Sequence, residues 1–150
     1  MLTTVKMFRT IWIAMVLLVV ATGGPAMPAY ATESSREGLI NCDIHHGPCT
    51  KEVSNCKITF DISPRPVKAM TDLTFRIALQ GKELSGRPHI ELGMPGMDMG
   101  PNRVSLRPLG NGRYEGQGVI VRCPSGRRTW KAAVTLPDVG VVEFVFDVLY

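Results

Sequence analysis

The stretch TWKAAVTLPDVGVVEFVFDV, Thr129 to Val148, carries the pattern that decides the fold. In its first half, apolar residues occupy every second position and form one face, namely Trp130, Ala132, Val134 and Leu136. Its second half repeats the pattern with Val142, Phe144, Phe146 and Val148. A period of two is typical of half-buried β-strands, and the intervening PDVG is typical of a turn. The stretch therefore predicts two strands separated by a turn.

The same alternation occurs five more times upstream. Its apolar positions are Ile58, Phe60 and Ile62; Leu73, Phe75, Ile77 and Leu79; Ile90 and Leu92; Val104 and Leu106; and the run from Tyr114 to Val121. Segments rich in glycine, proline and serine separate these runs. About seven short strands at this spacing, with no helical period after the leader, predict an all-β chain folded as an antiparallel β-sandwich. A small closed barrel is the alternative.

The first residues predict export. Lys6 and Arg9 precede an apolar run from Ile11 to Ala21, and Ala29-Tyr30-Ala31 is a small-x-small pattern. Such an arrangement is typical of a signal peptide, so we expect cleavage after Ala31 and a periplasmic or secreted protein. An uncleaved membrane anchor is the alternative. The expected organisation is a signal peptide over 1–31, an irregular arm bearing cysteine and histidine over 32–55, and a sandwich domain over 56–150.

The charge composition limits the classes of partner that the protein is expected to bind. The whole chain has 17 basic and 13 acidic side chains, for a net charge of +4, and removal of Lys6 and Arg9 lowers it to +2. This balance is too mild for nucleic-acid binding, which usually shows a clustered basic face. The one basic run, Arg127-Arg128 with Lys131, is interpreted as a solvated strand edge. We expect one domain, as a monomer or weak dimer.

All four cysteines, Cys42, Cys49, Cys56 and Cys123, follow the leader. An even number in an oxidising compartment predicts two disulfides, for which three pairings exist. Three of the cysteines are crowded together, so we expect a bridge to Cys123 that ties the arm to the domain, with Cys49 as its favoured partner.

The segment MPGMDMG, Met94 to Gly100, holds the strongest candidate site. Met94 continues the inward phase of Ile90 and Leu92, so a core position explains it, whereas Met97 and Met99 follow Pro95-Gly96 in an expected exposed turn. Thioether sulfur is a soft ligand that suits Cu(I). The spacing M-x-x-M-x-M would let one turn place three sulfurs around an ion. Methionine-rich turns also serve as adaptable packing or binding surfaces.

His45 and His46 lie in the arm, within NCDIHHGPC. Imidazoles suit Cu(II) and Zn²⁺, and reduced thiols would make C-x-x-H-x-x-x-C a metal motif. In an oxidising compartment a disulfide is favoured instead. If a bridge folds the arm back, these imidazoles would complete the shell of the methionine site. The third histidine, His89, is expected on the surface at the opposite end of the strand that leads to Met94.

Motifs of catalysis are absent from the sequence. It contains no G-x-S-x-G, no H-E-x-x-H, no phosphate loop and no glycine fingerprint after a strand. No C-x-x-C supports redox work by the cysteines. We therefore expect a protein that is not an enzyme.

The run GMPGMDMGPN, followed by GRYEGQG and by W-x-A-x-V at Trp130, resembles the YtkA-like and FixH-like exported domains. The resemblance covers roughly residues 57–148. It implies an immunoglobulin-like fold and a connection with copper delivery or with assembly of copper-containing respiratory oxidases. The arm and the turn Cys123-Pro124-Ser125-Gly126 depart from the family's pattern.

Together these features predict a copper-binding protein. Met97 and Met99 would be the primary donors and Met94 the third, with His45 or His46 completing the shell. The metal would pass to a partner in the envelope or to a respiratory oxidase. The alternative is a metal-free protein-binding module whose methionine turn is an interaction surface.

Overall fold

The computed structural model describes residues 39–150. The expected signal peptide and its cleavage site lie outside these residues, as does the arm up to residue 38. In this part of the chain the fold is all-β and contains no helix, and so none that could span a membrane. Its nine strands are β1 Cys49–Val53, β2 Cys56–Ser63, β3 Asp72–Gln80, β4 His89–Gly93, β5 Arg103–Ser105, β6 Arg107–Gly110, β7 Arg113–Val119, β8 Thr129–Leu136 and β9 Gly140–Asp147.

These strands form two antiparallel sheets. The five-stranded sheet has the order β1-β2-β3-β7-β6, and the four-stranded sheet has the order β5-β4-β8-β9. Between β8 and β9 the expected turn is present, with Asp138 at φ 65° and Gly140 at φ 124°. Register within this hairpin places Trp130 opposite Phe146 and Val134 opposite Val142. The two strands therefore present one common apolar face.

The core lies between the two sheets. Phe60 of the five-stranded sheet stacks on Phe144 of the four-stranded sheet, with ring centroids 4.9 Å apart. Trp130 and Phe75 are fully buried beside them. Burying one such aromatic or aliphatic side chain stabilises a fold by about 1.5–3 kcal/mol. Face-to-face packing of two open sheets confirms a sandwich-like arrangement and disfavours the closed barrel.

Two strands were not predicted. The run Cys49–Val53 was expected to be part of the irregular arm, but it pairs with β2 as the edge strand β1. The second unpredicted strand, β6, forms because the chain changes sheets after Ser105. β5 pairs with β4, whereas Arg107 to Gly110 pair with β7 in the other sheet. Both strands belong to hairpins whose second strand follows directly in the chain, with turns at Ser54-Asn55 and at Asn111-Gly112.

The expected disulfide between Cys49 and Cys123 is wrong. Cys49 is instead bonded to Cys42, with Cα atoms 5.5 Å apart, and Cys56 and Cys123 are free and buried. Cys49 begins β1 at the sheet edge, while Cys123 lies in the connection from β7 to β8, three strands away. The two free thiols cannot pair either. Cys56 lies near the end of β3, and Cys123 lies near the beginning of the same strand. β3 is about 25 Å long. A disulfide requires the two Cα atoms to lie within about 7 Å of each other, so these cysteines are too far apart.

Candidate functional site

The methionine turn, Met94 to Met99, follows β4 directly. The Met97 amide donates a hydrogen bond to the Met94 carbonyl oxygen at 3.1 Å. Pro95 and Gly96 occupy the two central positions, and Gly96 has φ 71°. Proline followed by a glycine at positive φ is the signature of a type II turn. The local sequence is thus sufficient to reverse the chain here.

Met94 points into the protein. Its side chain is 2% exposed and belongs to the core cluster. Gly93 pairs with Lys131, so Met94 is placed beside Trp130, the neighbouring residue of β8. The inward position expected from the alternation of β4 is confirmed. Met94 anchors the turn to the sandwich by packing.

Met97 and Met99 lie on the outside. Met97 is 39% exposed, and Met99 is partly buried against the edge of the core. Both line one shallow cleft of about 380 Å³ over β4 and β8, and Met94 is not among the lining residues. The structure therefore brings two of the three predicted sulfur donors to one surface.

Charged groups also line this cleft, namely Glu91, Asp98 and Lys131. One carboxylate oxygen of Asp98 accepts a hydrogen bond from the Gly100 amide at 3.0 Å, which fixes the second half of the turn. The other oxygen has no hydrogen bond to the described residues. The thioethers of Met97 and Met99 are soft ligands of the kind that Cu(I) prefers.

The two histidines of the arm have different surroundings. His45 Nδ1 accepts a hydrogen bond from the Val67 amide at 3.2 Å, and its Nε2 is buried without a hydrogen-bond partner in the described part of the chain. His46 is largely exposed, and its Nδ1 atom lies 2.7 Å from a carboxylate oxygen of Asp43. This hydrogen bond to His46 lowers the pKa of the Asp43 carboxyl.

The arm and the methionine turn lie on different strands. The Asn41 and Cys42 amides both donate to the Val145 carbonyl oxygen, so the arm runs beside β9. The methionine turn extends from β4, and β8 lies between β4 and β9. From the arm across β9 and β8 to β4 there are three strand spacings, which amount to about 14 Å. The structure therefore groups Met97 with Met99 but does not place His45 or His46 with them.

Sequence reasoning missed the contribution of Arg127. This residue was interpreted as part of a solvated basic edge, but it is half-buried, and its Nη2 donates a hydrogen bond to the Pro95 carbonyl oxygen at 3.0 Å. It also joins the methionine turn to the turn Cys123–Gly126, which is closed by a bond from the Gly126 amide to the Cys123 carbonyl. No local pattern indicates a bond between residues so far apart in the chain.

Cys123 places a thiol at this end of the sandwich. Its thiol is 2% exposed and lies 3.0 Å from the Ser125 hydroxyl. The hydrogen bond with Ser125, assisted by the nearby Arg127, lowers the pKa of this thiol below its ordinary value. The Cys123 amide also donates to the Tyr150 hydroxyl, which in turn donates to the Arg127 carbonyl. The thiol is therefore held in a defined position.

Within residues 39–150, no group of three or more histidine, cysteine, aspartate and glutamate side chains is arranged to hold a metal ion. No protein-family model matches this chain, and neither a curated protein nor a solved structure shows significant similarity to it. The resemblance to YtkA-like and FixH-like domains stays a prediction from the motifs.

Proposed function

We propose that this chain is an exported, non-catalytic β-sandwich of immunoglobulin-like arrangement that binds Cu(I) through its methionine turn. Met97 and Met99 are the primary donors, and the ion is passed to a partner in the envelope or to a respiratory oxidase. The observation that carries the proposal is that these two methionines line one cleft at the protein surface. Apolar side chains in that position need a reason, and soft-metal binding supplies one.

The chemistry suits an exchangeable ion. Thioethers bind Cu(I) without losing a proton, so such a site would keep its donors at low pH. Met97 is accessible, and a partner's ligands would reach an ion held there. Met94 would act as a third donor only if the turn moved its side chain out of the core. We therefore expect a weak site that releases copper readily.

The test is a competition for Cu(I) between the protein and a chromogenic chelator. The variant Met97→Leu/Met99→Leu removes both sulfurs at nearly constant volume, which limits its effect on the fold. Met70→Leu is the matched control, because Met70 is 67% exposed and outside the turn. Cys123→Ser separates the thioether site from the nearby thiol.

We expect the wild type, Met70→Leu and Cys123→Ser to compete for one copper and the double variant to lose the competition. Loss of competition in Cys123→Ser alone would instead assign the ion to the thiol. If no form competes, the copper proposal is wrong. The methionine turn would then be a packing or protein-binding surface, which is the alternative function.

A further inference from the structure

A second cleft lies where the chain changes sheets. Along β5 and the start of β6, Arg103, Ser105 and Arg107 project outward, while Val104 and Leu106 are buried between them. Cross-strand register places His89 of β4 directly opposite Ser105. Together with Arg87, which precedes β4, these polar side chains line a cleft of about 440 Å³.

The cleft is rich in arginine. Its lining residues include Arg87, Arg103 and Arg107 and no acidic residue, while Glu91 and Glu115 pair with two of these arginines from outside the lining. The three arginines come from two separate segments of the chain and border one space. Arginine presents a planar fork of N–H donors that matches the oxygen atoms of phosphate and carboxylate groups. The lining therefore favours an anionic ligand.

The arginines are available for such a ligand. Arg87 forms no ion pair or hydrogen bond with another residue of the described chain. Arg103 bonds to Glu91 at 2.7 Å, but both side chains are more than half exposed, and exposed ion pairs contribute little.

Arg107 is the third guanidinium, and it bonds to Glu115 at 2.9 Å. Glu115 also holds Arg76, at 3.0 Å. It would therefore keep a partner if Arg107 turned toward the cleft.

We propose that this cleft binds a phosphate dianion carried by a small organic molecule, that is, a phosphomonoester. A phosphate group offers three oxygen atoms, so it can accept hydrogen bonds from more than one arginine at once, whereas a carboxylate offers two. The Ser105 hydroxyl adds a further hydrogen-bonding group. Side chains of Pro88, Leu106 and Pro108 give the cleft an apolar wall for the organic part. Its volume lies within the range of about 300–1,000 Å³ that small-molecule sites occupy.

This site is separate from the methionine turn. The cleft begins at His89, whereas the turn follows Gly93, about 13 Å further along β4. The two clefts share no lining residue, and the ion pair of Arg103 with Glu91 lies where they adjoin. The inference does not rest on copper binding, and each proposal can fail without the other.

The experiment is calorimetric titration of the protein with phenyl phosphate, inorganic phosphate and acetate at constant ionic strength. We expect saturable binding of phenyl phosphate, at least as tight as that of inorganic phosphate, and no saturable binding of acetate. Tighter binding of inorganic phosphate would overturn the assignment to a monoester. Absence of saturable binding for both phosphates would overturn the site itself.

Variants locate the binding. Arg87→Gln/Arg107→Gln should weaken phenyl phosphate binding at least about tenfold, because charge-assisted hydrogen bonds to the dianion are lost. Arg87→Lys keeps the positive charge but removes the planar pair of N–H donors, so the affinity of this variant should lie between those of the wild type and the double variant. Arg128→Gln removes one charge elsewhere and should change the affinity less than about twofold. An equal loss in Arg128→Gln, or none in the double variant, would contradict the proposal.

Discussion

The guanidinium of Arg127 donates a hydrogen bond to the carbonyl oxygen of Pro95, at a distance of 3.0 Å. Pro95 is a central residue of the methionine turn, and Arg127 lies in the connection that crosses from β7 to β8. The bond therefore couples the turn between β4 and β5 to the connection that crosses from one sheet to the other. It holds the turn against the end of the sandwich, while Met94 holds it from inside.

Replacing Arg127 should loosen the methionine turn. A hydrogen bond from a charged donor contributes about 1.5–3 kcal/mol, so we expect Arg127→Ala to lower the free energy of unfolding by about 1.5 kcal/mol in urea titrations. Arg128→Ala is the control, since the Arg128 side chain is exposed and its contact with Asp147, at 3.9 Å, is long. Equal losses in the two variants would show that the bond to Pro95 contributes nothing of its own.

The methionines should differ in their reactivity. Mild peroxide should oxidise Met97 and Met70 well before Met94, because Met94 is 2% exposed and the other two are 39% and 67% exposed. Peptide mass spectrometry over a time course would give the order. If copper binds at the turn, Cu(I) should slow oxidation of Met97 and leave Met70 unchanged. Early oxidation of Met94 would mean that the turn opens in solution.

The cysteine pairing predicts which cysteines a thiol reagent can label. After denaturation without reductant, a thiol reagent should label Cys56 and Cys123 and leave Cys42 and Cys49 unlabelled. Removing the disulfide in Cys42→Ser/Cys49→Ser should cost about 2–3 kcal/mol of stability, as expected for a loop of this size. Cys56→Ala should leave the label on Cys123 alone. Four labelled cysteines, or a disulfide that includes Cys123, would contradict the structure.

Gly116 should resist substitution. A Cβ atom at this position would lie 2.5 Å from the Ser105 carbonyl oxygen and 2.7 Å from the Val104 side chain, so β7 approaches the sheet-changing segment closely. We expect Gly116→Ala to cost about 1–3 kcal/mol, because backbone cannot move aside easily. Gly93→Ala is the matched strand control, since a Cβ there meets nothing within 4 Å. Thermal unfolding of both variants would test whether close packing at this edge is required.

Glu115 should contribute to the loss of folding stability at low pH. Its hydrogen bonds with Arg107 and Arg76 hold the pKa of this carboxyl below its ordinary value of 4.5. Because the folded-state pKa is the lower one, this stabilisation is present above about pH 4.5 and is lost as the pH falls through the folded pKa. We expect Glu115→Gln to flatten the decrease of the melting temperature on acidification. Glu52→Gln, which removes an acid without an ion pair in the described residues, should keep the wild-type slope.

Several features follow from the sequence alone. The alternation at Trp130, Ala132 and Val134 predicts β8 correctly, because a period of two places one face of any strand against the core. The same reasoning places Met94 inside, and Pro95-Gly96 specifies the turn after it. These features depend on neighbouring residues only, so no knowledge of the remaining chain is needed.

Other features exist only in the folded chain. Cys49 pairs with Cys42 because the arm returns along β9 and not toward Cys123. The bond from Arg127 to Pro95 and the convergence of Arg87 with Arg107 likewise join distant segments. Local sequence determines which face of a strand is apolar. Tertiary structure decides which faces, loops and side chains meet, because that depends on how the two sheets align and where the chain crosses between them.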